Sequence, residues 1–150
     1  MEQKRRILPP VWFLLTLGLT VAMHYVLPIA SLFSPPWSYG GGLLVIVGLI
    51  MSVAGSNAFR RVGTPVIPFE RSTVLVTDGL YGFTRNPMYL GLVLTLLGVA
   101  ILLGSLGALL PVPAFVWILQ TQFINGEERF LEEIFGTRYL EYKKRVRRWL

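Results

Sequence analysis

Residues 85–127 decide the fold. They read RNPMYLGLVLTLLGVAILLGSLGALLPVPAFVWILQTQFINGE, and no Asp, Glu, Lys or Arg stands between Arg85 and Glu127. The segment between Arg6 and Arg60 lacks these residues in the same way. Because one helix needs about 20 apolar residues to cross the hydrocarbon core of a bilayer, each segment is long enough for two crossings. The sequence therefore predicts an all-α integral membrane protein with four transmembrane helices.

The composition also indicates that the bilayer is the solvent. Apolar residues make up 53% of the 150 residues and charged residues 15%, and the mean hydropathy is +0.59. A soluble domain usually carries charge at roughly a quarter of its positions. The absence of cysteine excludes disulfides, thiolate metal sites and cysteine nucleophiles. The length predicts a single membrane domain that comprises residues 1–150.

Turn-forming residues divide each apolar segment into two spans. Pro28 and residues 34–40 separate the first pair, and residues 104–107 separate the second. A secretory signal peptide is rejected for the first span, because no A-x-A cleavage site follows it and more spans do. The predicted spans are residues 7–27, 41–59, 88–103 and 106–124, with a loop at 60–87 and a tail at 125–150.

All charged side chains fall on one side of this arrangement. The 14 Lys and Arg and the 8 Asp and Glu lie at the amino terminus, in the loop and in the tail. By the positive-inside rule this side is cytoplasmic, and both termini with it. The net charge of +6 therefore reports topology, and we expect no nucleic acid partner.

Small and polar residues inside the spans predict structural roles. His24, the single histidine, is expected to be hydrogen-bonded and neutral rather than catalytic or metal-binding. Small residues at four-residue spacing predict close helix packing, or they are simply the small residues that are common in membrane spans. These residues are Gly18 and Ala22 in the first span and Gly48, Ser52 and Ser56 in the second.

Chemistry is expected where the third span begins, at Arg85-Asn86-Pro87. Pro87 suits the first position of a helix, and Asn86 suits the residue that caps it. The free N–H groups of the first turn and the Arg85 guanidinium then form a site for a carboxylate or phosphate. A capped helix with an interfacial arginine is the alternative explanation.

The tail begins with Glu127 and Glu128, two adjacent carboxylates just below the membrane. They can hold a cation, orient ribose hydroxyls or act as a base, or they are solvated charges at a helix start. Residues 125–128 either cap a new helix or continue the fourth span. Beyond them, helical spacing with a break at Gly136 predicts one or two amphipathic helices along the membrane. Their cations are expected to face anionic headgroups, namely Lys143, Lys144, Arg145, Arg147 and Arg148.

Two motif blocks carry a family resemblance over residues 55–146. The first contains Leu75-Val76-Thr77, Gly79, Tyr81, Arg85, Pro87, Tyr89 and Gly91. The second contains Glu127-Glu128, Phe135-Gly136, Tyr139 and residues 140–146. Together they resemble the isoprenylcysteine carboxyl methyltransferases, and the related phospholipid N-methyltransferases share much of the pattern. The resemblance implies a membrane methyltransferase that uses S-adenosylmethionine, needs no metal and takes a membrane lipid or a lipidated small molecule as acceptor.

The resemblance also implies a site that faces the cytoplasm. Arg85 would bind the methionine carboxylate, while Glu127 or Glu128 would take the ammonium or the ribose hydroxyls. Tyr81 or Tyr89 would stack on adenine or face the sulfonium. Arg85 and Glu128 are the predicted catalytic residues, and Gln122 and Tyr89 are the predicted acceptor contacts. The full predicted cofactor set is Gly79, Tyr81, Arg85, Asn86, Pro87, Tyr89, Leu90, Gly91, Glu127 and Glu128.

Three positions depart from the family pattern. Asn86 replaces a histidine, Arg147 replaces a proline, and residues 120–123 lack the arginine that precedes the glutamates in the eukaryotic enzymes. The favoured acceptor is an isoprenylcysteine-type carboxylate, and a lipid amine is the alternative. Two further alternatives are a membrane reductase that uses NADPH and a non-catalytic four-helix lipid-binding or assembly protein.

Overall fold

The computed structural model describes residues 8–63 and 74–150, which are mostly helical. The basic start of the chain and the first residue of the predicted first span lie outside the described residues, as do residues 64–73 of the predicted loop. The prediction of an all-α protein is confirmed. The α-helices of the described residues are α1 (Pro9–Val26), α2 (Gly40–Arg61), α3 (Pro87–Leu103), α4 (Leu106–Leu109), α5 (Pro111–Ile118), α6 (Asn125–Phe135) and α7 (Thr137–Arg145).

Three helical stretches of the described residues are long and apolar enough to cross a membrane. They are Pro9–Val26, Trp37–Arg61 and Leu106–Phe135. The remaining predicted span, α3, is apolar but has 17 residues. At about 1.5 Å per residue it measures about 25 Å, somewhat less than the ~30 Å core of a bilayer. The chain is an integral membrane protein, and a complete crossing by α3 stays a prediction.

The fourth predicted span continues into the tail without leaving the helical conformation. Pro111, which has no N–H to donate, marks the junction of α4 and α5. A π-helical turn, Leu119–Ile124, then joins α5 to α6. Of the two alternatives for residues 125–128, the structure has the continued helix. Glu127 and Glu128 therefore project from the same continuous helix that contains the fourth predicted span.

α2 and α3 pack with their backbones in contact. A Cβ added at Gly41 would lie 2.4 Å from the carbonyl oxygen of Gly98, and one at Gly48 would lie 2.5 Å from that of Gly91. These approaches are too close for any side chain, so only glycine fits. The contact repeats every seven residues on both helices.

The predicted rows of small residues are only partly confirmed. Ser52 lies in the α2–α3 contact and its hydroxyl donates to the carbonyl oxygen of Met88 at 3.1 Å. The prediction that Gly18 and Ala22 of α1 pack closely against another helix is wrong. A Cβ at Gly18 would meet nothing within 4 Å, and Ala22 is exposed. Gly48 and Ser52, four residues apart, both contact Gly91, while the glycine pairs themselves recur every seven residues.

α1 packs against α3, α4 and α5, and a buried apolar cluster fills the interior there, with Leu96, Phe115 and Leu119 among its members. Near the carboxyl end of α1, Nδ1 of His24 lies 2.9 Å from Oγ of Ser105. Ser105 Oγ also accepts from the backbone N–H of Ala108 and so caps α4. The predicted hydrogen bonding of His24 is confirmed.

Candidate functional site

The loop before α3 is anchored to α2 through Tyr81. Its ring stands edge-on to Phe59, with centroids 5.3 Å apart, and its hydroxyl donates a long hydrogen bond of 3.5 Å to the carbonyl oxygen of Gly55. Burial raises the pKa of the Tyr81 hydroxyl, which therefore stays protonated and able to donate. The turn Gly79–Gly82 that carries Tyr81 begins at Gly79 with φ of +60°, a conformation that favours glycine.

A short segment after α7, Val146–Trp149, binds back onto the start of α3, and we call it the strap. Thr84 and Arg147 pair as neighbouring parallel strands do. The backbone N–H of Arg85 donates to the carbonyl oxygen of Arg147 at 2.9 Å, and the Thr84 hydroxyl donates to that of Arg148 at 3.2 Å. The strap thereby fixes the position of Arg85 relative to the tail.

Asn86 stands at the capping position of α3 but does not cap it with its side chain. Its Nδ2 donates instead to the carbonyl oxygen of Arg148 at 2.9 Å, and its backbone N–H donates to the Thr84 hydroxyl at 3.2 Å. The prediction that the Asn86 side chain caps α3 is therefore wrong, because this side chain binds a carbonyl oxygen of the strap instead. The other half of the prediction is confirmed, since Pro87 is the first residue of α3.

Glu128 forms the centre of a charged cluster. Its Oε1 accepts from Nη2 of Arg85 at 2.9 Å, and its two oxygens accept from Nε and Nη2 of Arg148 at 2.9 and 2.6 Å. Nζ of Lys143 lies 3.9 Å from Oε2. The side chains of Arg85 and Glu128 are each 7% exposed. Glu128 therefore holds two guanidinium groups together inside the protein.

The cluster has an excess of positive charge and an unused donor. Lys143 also pairs with Glu132, so its predicted position facing headgroups is wrong. Three cations (Arg85, Lys143, Arg148) and two carboxylates (Glu128, Glu132) leave one positive charge. Nε of Arg85 is buried without a hydrogen-bond partner among the described residues. Since an unsatisfied buried donor is costly, this end of the cluster suits an anionic ligand.

Glu127 has entirely different surroundings. Its Oε1 accepts from the hydroxyl of Tyr89 at 2.6 Å, and no cation pairs with it in the part of the chain that the structure describes. The ring of Tyr89 lies 6.3 Å from that of Phe123, centroid to centroid. A carboxylate beside aromatic rings suits a cationic ligand.

Two tyrosines of α7, Tyr139 and Tyr142, are buried next to the charged cluster. The hydroxyl of Tyr142 donates to the carbonyl oxygen of Tyr81 at 2.6 Å, and burial raises the pKa of Tyr142 to about 12. Burial also raises the pKa of Tyr139 above its ordinary value. Both stay neutral near pH 7. The hydrogen bond to Glu128 raises the pKa of Arg148, which strengthens its hold on the positive charge.

The remaining predicted site residues are dispersed. Leu90 and Gly91 are buried in α3, and a Cβ at Gly91 would lie 2.5 Å from the carbonyl oxygen of Gly48, so Gly91 serves helix packing. Gln122 is exposed on the π-helical turn. Gln120 is the glutamine that accepts a hydrogen bond from the strap, from Nε1 of Trp149 at 3.0 Å.

The strap is the part of the site that the sequence analysis missed. Arg148 was predicted to face the membrane surface with its neighbours, and Trp149 was predicted to continue the apolar face of the tail helix, which in the structure ends at Arg145. Because Trp149 follows Val146 at helical spacing, the sequence pattern gave no signal that the helix ends at Arg145. Among the described residues no group of three or more His, Asp or Glu could hold a metal ion.

Residues 37–138 match the protein family described as phospholipid methyltransferase. The sequence is also similar to protein-S-isoprenylcysteine O-methyltransferases. It is 38% identical over 77 residues to the one from Schizosaccharomyces pombe, covering 51% of this chain and 33% of that protein. It is 33% identical over 108 residues to the A form from Arabidopsis thaliana, covering 71% of this chain and 55% of that protein.

The fold is similar to a solved structure of the eukaryotic intramembrane Ras methyltransferase, an isoprenylcysteine carboxyl methyltransferase. The TM-score is 0.66 at 22% sequence identity, and the match covers 100% of this chain and 53% of that one. This likeness shows the fold alone. The chain spans between 33% and 55% of the lengths of these relatives.

Proposed function

Since this chain belongs to the phospholipid methyltransferase family, we propose that it transfers a methyl group from S-adenosylmethionine to a lipid-like acceptor. The observation that carries this proposal is the contrast between Arg85 and Glu127. Arg85 offers an unpartnered buried donor within a net positive cluster, whereas Glu127 is a carboxylate without a cation among the described residues. An anion site and a cation site side by side complement the amino-acid end of S-adenosylmethionine.

The donor set fits this cofactor. The methionine carboxylate would accept from Nε of Arg85, because the two terminal nitrogens already donate to the carbonyl oxygen of Lys143 and to Glu128. Glu127 would hold the ammonium or the sulfonium, with Tyr89 and Phe123 as aromatic neighbours. Glu128 would act through Arg85 and Arg148, because its oxygens already accept from both. Tyr81 stays a candidate for the adenine.

When bound, S-adenosylmethionine supplies a methyl group on a sulfonium cation, and the protein aligns this group with the acceptor. Transfer to a carboxylate turns a cation and an anion into neutral products, so exclusion of water favours it. The apolar cluster that contains Tyr89 and Phe123 excludes water on the membrane side. Beyond excluding water, the protein would accelerate methyl transfer by aligning the donor with the acceptor.

The favoured acceptor is a lipidated carboxylate of the isoprenylcysteine type. The names of the relatives support this choice. A lipid amine is the second candidate, because a neutral amine needs a base and no described cation pairs with Glu127, which lies beside Tyr89. The reaction of an amine would release a proton, whereas that of a carboxylate would not.

The proposed topology has four spans, both termini in the cytoplasm and the site at the cytoplasmic ends of α3 and α6. It is supported by the placement of all charges outside the apolar segments. In the tail, Tyr139 and Tyr142 are buried while Arg138, Lys144 and Arg145 are exposed. Helices with such a distribution suit the surface of an anionic leaflet.

The direct test is equilibrium binding of labelled S-adenosylmethionine to the protein purified into lipid nanodiscs. Methylation of N-acetyl-S-farnesylcysteine and of phosphatidylethanolamine would then be compared. We expect saturable cofactor binding and transfer to the farnesylated carboxylate. Absence of cofactor binding would overturn the proposal, and binding of NADPH in its place would support the reductase alternative.

A further inference from the structure

Arg148, in the strap, occupies the side of Glu128 that presents both carboxylate oxygens. Its Nε donates to Oε1 at 2.9 Å, and its Nη2 donates to Oε2 at 2.6 Å. Two parallel donors on two oxygens make the bidentate geometry to which an arginine and a carboxylate are best suited. Glu128 therefore has a bidentate partner, and this partner is Arg148 rather than Arg85.

Arg85 reaches the same carboxylate through one nitrogen. Its Nη2 donates to Oε1 of Glu128 at 2.9 Å, and its Nη1 donates to the carbonyl oxygen of Lys143 at 3.1 Å. Nε, which forms one edge of the guanidinium together with Nη2, is buried and has no hydrogen-bond partner among the described residues. Since a buried donor without a partner is costly, Arg85 would gain stability by turning this edge toward both oxygens of Glu128.

Arg148 prevents this rearrangement. Oε1 of Glu128 already accepts from two nitrogens, so both of its lone pairs are in use, and Oε2 accepts from Nη2 of Arg148. The backbone of Arg148 is held as well, because its carbonyl oxygen accepts from the Thr84 hydroxyl at 3.2 Å and from Nδ2 of Asn86 at 2.9 Å. The guanidinium of Arg148 thus keeps the carboxylate of Glu128 away from Nε of Arg85.

From this geometry we infer that Arg148 is a positioning residue that keeps Nε of Arg85 available to an anion and so sets the preference of the site for ligands with a carboxylate. The inference rests on the proposed function, in which this anion is the methionine carboxylate. Arg148 touches neither the cofactor nor the reacting atoms in this account. Without it, Glu128 would bind Arg85 through both oxygens and occupy the donor that the ligand needs.

The test compares the binding of S-adenosylmethionine and of decarboxylated S-adenosylmethionine, which lacks only the carboxylate, to the protein in nanodiscs. Wild type should prefer the compound with the carboxylate. We expect Arg148→Ala to raise the Kd for S-adenosylmethionine roughly tenfold, because a hydrogen bond between charged groups is lost. The Kd for the decarboxylated compound should change little, and its binding shows that the variant is folded.

Two further variants separate geometry from charge. Arg148→Lys keeps the positive charge, but a single ammonium cannot pair with both oxygens as a guanidinium fork does, so this variant should resemble Arg148→Ala. Arg145→Ala is the matched control, because it removes a positive charge from an exposed position near the strap. It should leave both Kd values near those of wild type.

The results distinguish failure of the inference from failure of the proposed function. If wild type binds no S-adenosylmethionine, the proposed function fails and the inference falls with it. If wild type binds both compounds equally, or if Arg148→Ala keeps the wild-type ratio of the two Kd values, the inference is overturned while cofactor binding stands. A wild-type ratio in Arg148→Lys would also overturn it, because positive charge alone would then suffice. Loss of both ligands in both Arg148 variants would assign Arg148 to the fold instead.

Discussion

The hydroxyl of Tyr89 lies 2.6 Å from Oε1 of Glu127, and this hydrogen bond separates the roles of two adjacent glutamates. Glu128, the next residue, accepts from Arg85 and Arg148 and is buried. One carboxylate is therefore committed to holding guanidinium groups in place, while its neighbour faces aromatic rings. Substitutions of Glu127 and of Glu128 are therefore expected to have different effects.

Glu127→Gln should distinguish a carboxylate acceptor from an amine acceptor. For a carboxylate no proton has to be removed, so the variant should bind S-adenosylmethionine more weakly but keep a similar kcat at saturation. For an amine, loss of the base should lower kcat by roughly a hundredfold or more, with partial recovery at higher pH as the free amine deprotonates. Cofactor titration and saturated turnover measure the two effects.

Glu128→Gln is the matched variant and should behave differently. It leaves Arg85 and Arg148 without their shared counterion, so it should lower thermal stability as well as cofactor affinity. A Glu128→Gln protein with wild-type Tm and a base-type loss of kcat would reverse the assignment of the two glutamates.

Arg85→Ala should weaken binding of S-adenosylmethionine more than Arg85→Lys, because lysine loses the free Nε donor but keeps the positive charge. A lost charge-assisted pair in a partly buried site costs about 2–3 kcal/mol. Arg145→Ala, at an exposed position, is the control. Isothermal titration in nanodiscs measures the affinities. Wild-type affinity in both Arg85 variants would reduce Arg85 to an interfacial anchor.

Gly48→Ala and Gly91→Ala should each destabilise the protein, because the added Cβ would fall 2.5 Å from a carbonyl oxygen of the facing helix. Overpacking of this kind typically costs about 1–3 kcal/mol. Gly18→Ala should be neutral or stabilising, since that position is open. Thermal unfolding in one detergent checks all three, and equal Tm values would contradict the backbone contact between α2 and α3.

Single cysteines should map the topology cleanly, because the sequence has none of its own. Ser34→Cys lies in the predicted outer turn and Thr137→Cys in the tail, and both positions are exposed. A membrane-impermeant maleimide added to intact cells should label the first and spare the second until the cells are opened. Labelling of both from outside would reject the four-span arrangement.

Gln122→Arg should shift the KM values of the two acceptor classes in opposite directions. Gln122 is exposed on the π-helical turn, and a cation there would attract a lipidated carboxylate and repel a protonated lipid amine. The KM for N-acetyl-S-farnesylcysteine should fall, whereas that for phosphatidylethanolamine should rise. Gln122→Asn should leave both near wild type, and equal KM values in the arginine variant would remove Gln122 from the acceptor path.

The sequence was informative where local pattern decides structure. Uncharged apolar segments predicted the helices, Pro87 predicted the start of α3 and Gly136 predicted a break, which the structure has between α6 and α7. The resemblance to isoprenylcysteine carboxyl methyltransferases is confirmed by the similarity to such enzymes. The two glutamates and Arg85 were singled out, and the structure brings Arg85 and Glu128 together.

Other features depend on tertiary contacts that no local pattern encodes. Which glycines meet depends on the rotation of α2 against α3, so spacing alone did not identify Gly41 and Gly98. Asn86 has the right side chain for a cap, but the carbonyl oxygen of Arg148 competes for it. No local pattern predicts the strap, because the groups that bind it lie more than 60 positions earlier in the chain. The backbone N–H of Arg85 and the side chains of Thr84 and Asn86 donate to its carbonyl oxygens.

The glycine contact divides the protein into a rigid side and an adaptable side. Where Gly48 meets Gly91 the backbones touch, and no side chain there can rotate to open a passage. α2 and α3 must therefore move as one body, whereas α3 meets α5 through side chains that have rotamers to change. Under the proposed function, a lipid product that leaves the start of α3 for the bilayer would be confined to the adaptable side, and the rate of its release should depend on the fluidity of the lipids around α5 rather than around α2.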